Sequence, residues 1–358
     1  MAQTSTPFLI PERKLNVGGT ERRVGFEFEF SGVGLANTAA IIQELLGGTI
    51  ESKHRFAYSV KGTRLGHFEI ESDASMLSQR KWEKYARVFG ISPGQGFMGE
   101  TLESLVANVS EELVPYEIVS PPIPFSQMSE METLREKLQE AGAQGTHTRF
   151  YAAYGMQFNP EMPDFKVETL LGYMRAFFLL YDRLLLSEDI PLARKVLPFI
   201  DPFPTEYIEQ VLNPDYRPHS VQSFMRDYLE YNPTRNRPLD WLPLFAHLDQ
   251  NLVFEYEVER ELIKPRPTLH YRLPSSLIDD PNWTIAGEWN KWVEIERLAS
   301  DPKYIEQMSE EFLRLGQLDS DSFSMQRIIR STNDLWIKRS DEFVKEFMDG
   351  FMKEHAGI

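Results

Sequence analysis

The sequence predicts an α+β protein whose antiparallel or mixed sheet has helices packed on one face. Polar and apolar residues alternate in five short segments, a pattern typical of half-buried strands. These segments are 24–30, 68–73, 116–119, 154–159 and 269–273. Longer segments with helical character lie between them, among them the largely apolar stretch 165–187. The elements lack the regular strand–helix–strand succession of a parallel sheet, which favours the α+β class.

Capping and turn residues predict where several elements begin and end. Asn37 is the predicted N-cap of a helix that Gly47 ends. Ser129 has capping-box spacing to the acid three residues later, which predicts the start of a second helix. Residues 54–73 predict two strands joined by a turn at Lys61-Gly62.

Composition divides the chain into three parts. Residues 1–20 are polar and end in two glycines, which predicts an N-terminal arm. Residues 21–300 hold all the predicted strands, and eight prolines mark an insertion of loops and short helices at 198–243. Residues 301–358 predict an acidic helical extension, with breaks in the helical pattern near Asp301 and Gly316, which forms either a solvated face or a homo-oligomer contact.

Charge and residue usage exclude several classes of function. The 358 residues are 42% hydrophobic and 26% charged, as expected of a globular protein with a sizeable core. A net charge of −16 argues against nucleic-acid and anionic-membrane partners, because both surfaces are negative. The absence of cysteine excludes disulfides, thiolate nucleophiles and iron–sulfur clusters. We expect a cytoplasmic protein, since neither a secretory signal nor a membrane-spanning stretch is visible.

The first predicted strand places two carboxylates on one face. Val24, Phe26 and Phe28 alternate with Gly25, Glu27 and Glu29 in this segment. Residues two apart on a strand lie about 6.5–7 Å from each other on the same side, so the two carboxylates repel unless something neutralises them. Mg²⁺ is a natural neutraliser, because it takes hard oxygen ligands. The alternative is the solvated outer face of an antiparallel sheet.

The other four predicted strands also carry polar residues on one face. These residues are Glu69, Glu71 and Asp73; Glu117; Gln157 and Asn159; and His270 and Arg272. Each strand taken singly is typical of a solvated sheet face. Together they gather carboxylates, amides, an imidazole and a guanidinium, which is the inventory of a metal–nucleotide site.

A basic, proline-flanked loop at 232–238 adds Arg235 and Arg237. Arginine offers a planar fork to phosphate and carboxylate groups, so this loop is a candidate clamp for a γ-phosphate or a substrate carboxylate. The alternative is a surface loop paired with nearby acids. Arg149 and Lys61 are weaker candidates of the same kind.

Several of these segments resemble a known superfamily. The segment 24–30 resembles the Gly-x-Glu-x-Glu strand of the glutamine synthetase and glutamate–cysteine ligase superfamily. Asp73-Ala74-Ser75 is similar to the Asp-Gly-Ser element of its amidoligase family, and 116–122 closely resembles that family's Glu-Ile-Val-Ser-Pro motif. The segment 154–159 stands in place of a Gly-x-His-x-His strand, and 268–272 in place of Thr-x-Glu-x-Arg. The resemblance covers about residues 24–300.

The resemblance implies a glutamine-synthetase-like catalytic sheet and an ATP- and Mg²⁺-dependent ligase that joins a carboxylate to an amine through an acyl phosphate. The amine belongs to an amino acid, a peptide or a larger substrate. The implied site residues fall into three groups. They are the metal ligands Glu27, Glu29, Asp73, Glu117 and His270; the nucleotide contacts Gln157, Asn159, Arg149 and Lys61; and the catalytic arginines Arg272, Arg235 and Arg237.

Two residues depart from the family's pattern. Gln157 stands where a histidine is expected, and His270 stands where a glutamate is expected, which removes one negative charge from the cluster. One hypothesis is an active ligase in which a ligand role has moved between strands, with Glu69 or Glu71 as the candidate base. The alternatives are a degenerate ligase fold that binds a nucleotide or a partner, and a metal hydrolase that needs no nucleotide.

Overall fold

A twisted antiparallel sheet organises the fold. The computed structural model describes residues 6–54, 56–72, 116–146, 154–187, 201–320, 336–342 and 344–345. The strands are β1 Arg23–Phe30, β2 Thr49–His54, β3 Ala57–Thr63, β4 Gly66–Ser72, β5 Tyr116–Val119, β6 Ile123–Pro124, β7 Met156–Pro160, β8 Leu239–Asp240 and β9 His270–Tyr271. They lie in the order β2-β3-β4-β5-β1-β7-β9-β8, and β6 pairs with the start of β1. Every strand pair within the described residues is antiparallel.

Helices cover the apolar face of this sheet. They are α1 Leu35–Leu46, α2 Ser129–Glu140, α3 Val167–Ser187, α4 Thr205–Leu212, α5 Val221–Tyr231, α6 Leu242–Val253, α7 Ile285–Ala299 and α8 Pro302–Ser320. The aromatic side chains of α3 and α7 reach the central strands, since Trp289 packs edge-on against Phe158 and Trp292 lies 5.3 Å from Tyr271 between ring centroids. The predicted α+β class is confirmed.

The alternation of β1 determines which of its faces is buried. Val24, Phe26, Phe28 and Phe30 are at most 1% exposed and belong to one continuous hydrophobic core. The residues between them face the other side of the sheet, where Glu27 is only partly buried. Burial of the four apolar side chains therefore fixes the register and holds the acids on the polar face.

Some element boundaries differ from the sequence-based predictions. Gly34 is the N-cap of α1, and Asn37 lies inside the helix. Residues 61 and 62 are not a turn, because β3 continues to Thr63 and the positive φ of Gly62 (69°) falls where its pairing with β4 shifts register. Ser129 makes no capping bond, since the preceding Met128 is already helical. The break predicted near Gly316 is also wrong, as α8 runs through to residue 320.

A buried ion pair fastens the start of β1 to α7. Both outer guanidinium nitrogens of Arg22 donate to the Glu296 carboxylate at 2.7 Å, and its Nε donates to the carbonyl oxygen of Glu161 at 2.7 Å. The indole N–H of Trp292 donates to the same carboxylate. Burial lowers the pKa of Arg22, but Glu296 more than reverses this and raises it above its ordinary value.

Across the described segments, no helix combines the length and apolarity that crossing a membrane requires.

Candidate functional site

Three carboxylates form a row across neighbouring strands on the polar face. Glu29 of β1 lies directly opposite Glu117 of β5, and Glu117 lies opposite Glu71 of β4. Directly paired residues on antiparallel strands have Cβ atoms about 4.5–5.5 Å apart. Glu29 and Glu117 are predicted metal ligands, whereas Glu71 is predicted only as a base. Its place in this row depends on strand register, which its own alternating pattern does not reveal.

The ligand atoms that this row offers suit Mg²⁺, because all of them are carboxylate oxygens. One oxygen of Glu29 accepts a hydrogen bond from the backbone N–H of Gly155 at 2.8 Å, which orients this carboxylate. Among the residues that the structure describes, no three acidic or histidine side chains converge closely enough to hold a metal ion. Binding one ion with this row therefore requires side-chain rotation. The predicted ligand Asp73 lies outside the described residues.

A second polar row lies two residues away from the first along each strand. Glu27 is flanked by Val119 on β5 and Gln157 on β7. The register that pairs Phe158 with Tyr271 sets Gln157 beside Arg272. The predicted residues of β1, β7 and β9 therefore share one face of the sheet.

Asn159 is the centre of a hydrogen-bond network on this face. Its amide nitrogen donates to Glu27 at 2.7 Å, and its amide oxygen accepts from Arg266 at 2.6 Å. The ring nitrogen Nδ1 of His270 lies 2.8 Å from the same amide oxygen. That oxygen can only accept and lies closer to Nδ1 than the Arg266 guanidinium nitrogen does, at 2.8 Å against 3.3 Å, so the network favours the ring proton on Nδ1.

His270 is a neutral imidazole among guanidinium groups. Burial is the main cause that lowers its pKa well below the ordinary value, and the charges of Arg272, Arg266 and Arg235 lower it further. The ring is 3% exposed. Three positive groups around one imidazole favour an anion at this place more than a cation.

The guanidinium groups are held by backbone and by one buried acid. Asp240 of β8 is fully buried and accepts from Arg235 Nε at 2.9 Å. Burial raises the pKa of Asp240, and the nearby Arg235 opposes that rise. Arg272 donates to the carbonyl oxygen of Arg235 at 2.7 Å, so the two predicted arginines are in contact. This cluster can neutralise charge on phosphoryl or carboxylate oxygens.

Arg266 belongs to this site but was not among the predicted residues. It contacts Asn159, and its guanidinium lies 3.8 Å from the Glu27 carboxylate. Its sequence signal is an arginine between two prolines, Pro265 and Pro267. That is the same signal that drew attention to the loop 232–238.

The structure does not bring Arg237 or Lys61 to the polar face around β1. Arg237 donates to the carbonyl oxygens of Pro202 and Tyr231, and its guanidinium lies over the ring of Phe203 at 5.6 Å. Lys61 pairs with Glu51 at 2.5 Å on the outer hairpin, where both side chains are about half exposed. Arg149 lies outside the described residues.

Ser120 and Pro121 form the end of the pairing between β5 and β1. Its hydroxyl accepts the N–H of Phe26 at 2.8 Å, and its own N–H donates to the carbonyl oxygen of Phe26 at 2.8 Å. The serine thus extends the pairing of β5 with β1 by one residue. Pro121 follows and has no N–H with which to continue the ladder.

Comparison with known proteins identifies the family of the chain. A family model described as "Putative amidoligase enzyme" matches residues 20–294, about three quarters of the chain. No curated protein and no solved structure matches the chain. The family match spans every strand of the described sheet and confirms the resemblance found in the strand motifs. The chain therefore belongs to the family of putative amidoligase enzymes.

Proposed function

We propose that this protein joins a carboxylate to an amine at the expense of ATP, with Mg²⁺, through an acyl phosphate. The observation that carries the proposal is the adjacency of a carboxylate row and an arginine cluster on one face of one sheet. Phosphoryl transfer depends mainly on positioning and on neutralisation of oxygen charge. Carboxylates that attract a metal ion, next to guanidinium groups, meet both needs without a side-chain nucleophile.

The carboxylate row is the proposed metal site. Glu29, Glu117 and Glu71 would hold Mg²⁺, with Glu27 and Asp73 as the further ligands implied by the family resemblance. When bound, the ion neutralises charge on the phosphate oxygens of ATP. His270 is a less favourable ligand than these acids, because its guanidinium neighbours repel a cation.

The arginine cluster is the proposed contact for the reacting oxyanions. A substrate carboxylate oxygen bonds to the γ-phosphorus and ADP leaves. The amine nitrogen then bonds to the acyl carbon, phosphate leaves and the amine loses a proton. Arg272 and Arg235 would stabilise oxygen charge during both steps, because each presents fixed N–H donors. Asn159 holds Arg266 and His270 in place beside them.

Isothermal titration with ATP tests the metal row directly. We expect Mg²⁺-dependent ATP binding in the native protein and its loss in Glu29→Gln, which keeps the shape but removes a charge. The matched control is Glu51→Gln on the outer hairpin, which should bind as the native protein does. Equal binding by Glu29→Gln would show that β1 is not the metal site.

Turnover separates the ligase from the non-catalytic alternative. Sustained ADP release should require both a carboxylate and an amine, because without an amine the reaction stops at the acyl phosphate. Binding of Mg²⁺ without any binding of ATP would favour the metal hydrolase that needs no nucleotide. Tight binding of Mg²⁺ and ATP without ADP release in any mixture would support the degenerate, nucleotide-binding fold, which the Gln157 and His270 exchanges allow.

A further inference from the structure

A cavity of about 420 Å³ opens beside the Asn159 network on the polar face. Its volume lies within the range of about 300–1,000 Å³ that is usual for small-ligand sites. Gly25 contributes no side chain to this space, and a Cβ there would make only ordinary contact with Asn159, at 3.4 Å. The charged and polar residues that line it include Arg23, Glu27, Asn159, Glu161, Arg266 and Thr268.

One wall of the cavity carries donors that lack acceptors. The Thr268 hydroxyl and the Arg266 Nε are both buried and have no hydrogen-bond partner among the described residues, and Thr268 is only 9% exposed. Arg23 is an exposed residue, and its guanidinium makes no hydrogen bond or ion pair with any residue that the structure describes. Buried donors without acceptors cost free energy, and an anion in the cavity would remove that cost.

The opposite charge is supplied by Glu161. One of its carboxylate oxygens accepts from the side chain of Asn16 at 2.8 Å, and the other accepts from the backbone N–H of Arg23 at 3.1 Å. Both donors are neutral, and within the described parts of the chain no cationic side chain pairs with this carboxylate. Glu161 is therefore held in a fixed orientation while its charge is left without an ionic partner.

The two charges that lack ionic partners line the same cavity but do not pair with each other. The remaining charged residues of the lining are Arg266 and Glu27. They lie 3.8 Å apart, so their opposite charges largely neutralise each other. A lining with two guanidinium groups and two carboxylates gives a polyanionic nucleotide no net attraction. A ligand with one positive and one negative group matches both Arg23 and Glu161.

We propose that this cavity binds the head group of an α-amino acid, which would be one of the two substrates of the reaction proposed above. The ligand carboxylate would accept from Arg23, Arg266 Nε and Thr268, and the ligand ammonium would donate to Glu161. The cavity adjoins Glu27, which is two residues from Glu29 on β1. This inference rests on the proposed function, because that reaction needs an amine and a carboxylate close to the metal row.

Three small probes test the two charges separately. Glycine carries both groups, N-acetylglycine only the carboxylate and glycinamide only the ammonium. We expect titration calorimetry without nucleotide or Mg²⁺ to show glycine binding at least about tenfold tighter than either analogue, since each analogue leaves one charge of the cavity unpaired. Glycine binding no tighter than N-acetylglycine or inorganic phosphate would overturn the proposal in favour of a simple anion site. No detectable glycine binding would also overturn it.

Matched variants assign the two charges to residues. Glu161→Gln should weaken glycine binding about tenfold and leave N-acetylglycine binding unchanged, whereas Arg23→Gln should weaken both. Arg226→Gln, an exposed arginine on α5, is the control and should change neither. Unaltered thermal melting would show that each variant is folded. Equal glycine binding by all three variants would refute the assignment.

Two further results separate this inference from the proposed function. Displacement of glycine by metal-free ATP would assign the cavity to the nucleotide and overturn the inference alone. Glycine binding that persists in a protein that never releases ADP would support the amino-acid site and count against the ligase.

Discussion

The ion pair between Arg22 and Glu296 makes a sharp prediction about stability. The side chain of Arg22 is 0% exposed and that of Glu296 is 3% exposed, so water does not solvate either charge. Glu296→Gln keeps the size of the side chain but removes its charge. The guanidinium of Arg22 would then remain buried without a carboxylate.

Removing one partner of a buried ion pair costs about 3–5 kcal/mol, because the other charge is left uncompensated. We expect a loss of this size in the free energy of unfolding of Glu296→Gln, measured by urea titration with both fluorescence and circular dichroism. The control is Glu255→Gln, which breaks the pair with Arg226, where both side chains are more than half exposed. That control should unfold at nearly the native urea concentration, since exposed pairs contribute little.

The reasoning would be refuted if the two variants lost the same small amount of stability. That result would mean that water reaches Arg22 in solution, or that its bonds to the carbonyl oxygens of Arg13 and Glu161 are sufficient without the carboxylate. A loss of stability in the control alone would refute it as well.

Two residues of the candidate site, His270 and Ser120, give further predictions about stability. The folded pKa of His270 is lowered, so below its unfolded pKa of about 6.5 only the unfolded chain takes up this proton. This contribution to stability is therefore complete above about pH 6.5 and is lost as the pH falls, by about 1.4 kcal/mol per pH unit. Urea titrations at pH 7.5 and 5.5 in EDTA should show a smaller decrease for His270→Asn than for the native protein, and equal decreases would contradict the pKa. Ser120→Ala leaves the Phe26 N–H without its acceptor and should cost about 1–3 kcal/mol in the same measurement. A cost near zero would show that water replaces the hydroxyl.

Sequence pattern predicted the strands of the site well, because alternation is a local property of the chain. Glu27 and Glu29 lie on the polar face because the aromatic residues that alternate with them must be buried, and the sequence predicts their position for the same reason. The apolar helix expected at 165–187 is present as α3, Val167–Ser187. These elements need no knowledge of distant parts of the chain.

Residues whose roles depend on strand register could not be predicted in the same way. Glu71 joins the carboxylate row only because β4 pairs with β5, and no local pattern states that pairing. Arg235 and Arg237 have the same local signal, yet one contacts Asp240 and the other packs over Phe203. Which of two such arginines reaches the site is decided by tertiary packing.

The central position of β1 in the sheet has a consequence for how the chain folds during its synthesis. Its hydrogen-bond partners β5 and β7 begin roughly 90 and 130 residues later in the sequence. At synthesis rates of about 5–20 residues per second, the earliest strand waits several seconds for its first neighbour. Both of its edges, and the side chains of Phe26 and Phe28, are unprotected during that time. Transiently exposed apolar side chains and unpaired strand edges make a nascent chain of this kind prone to aggregation.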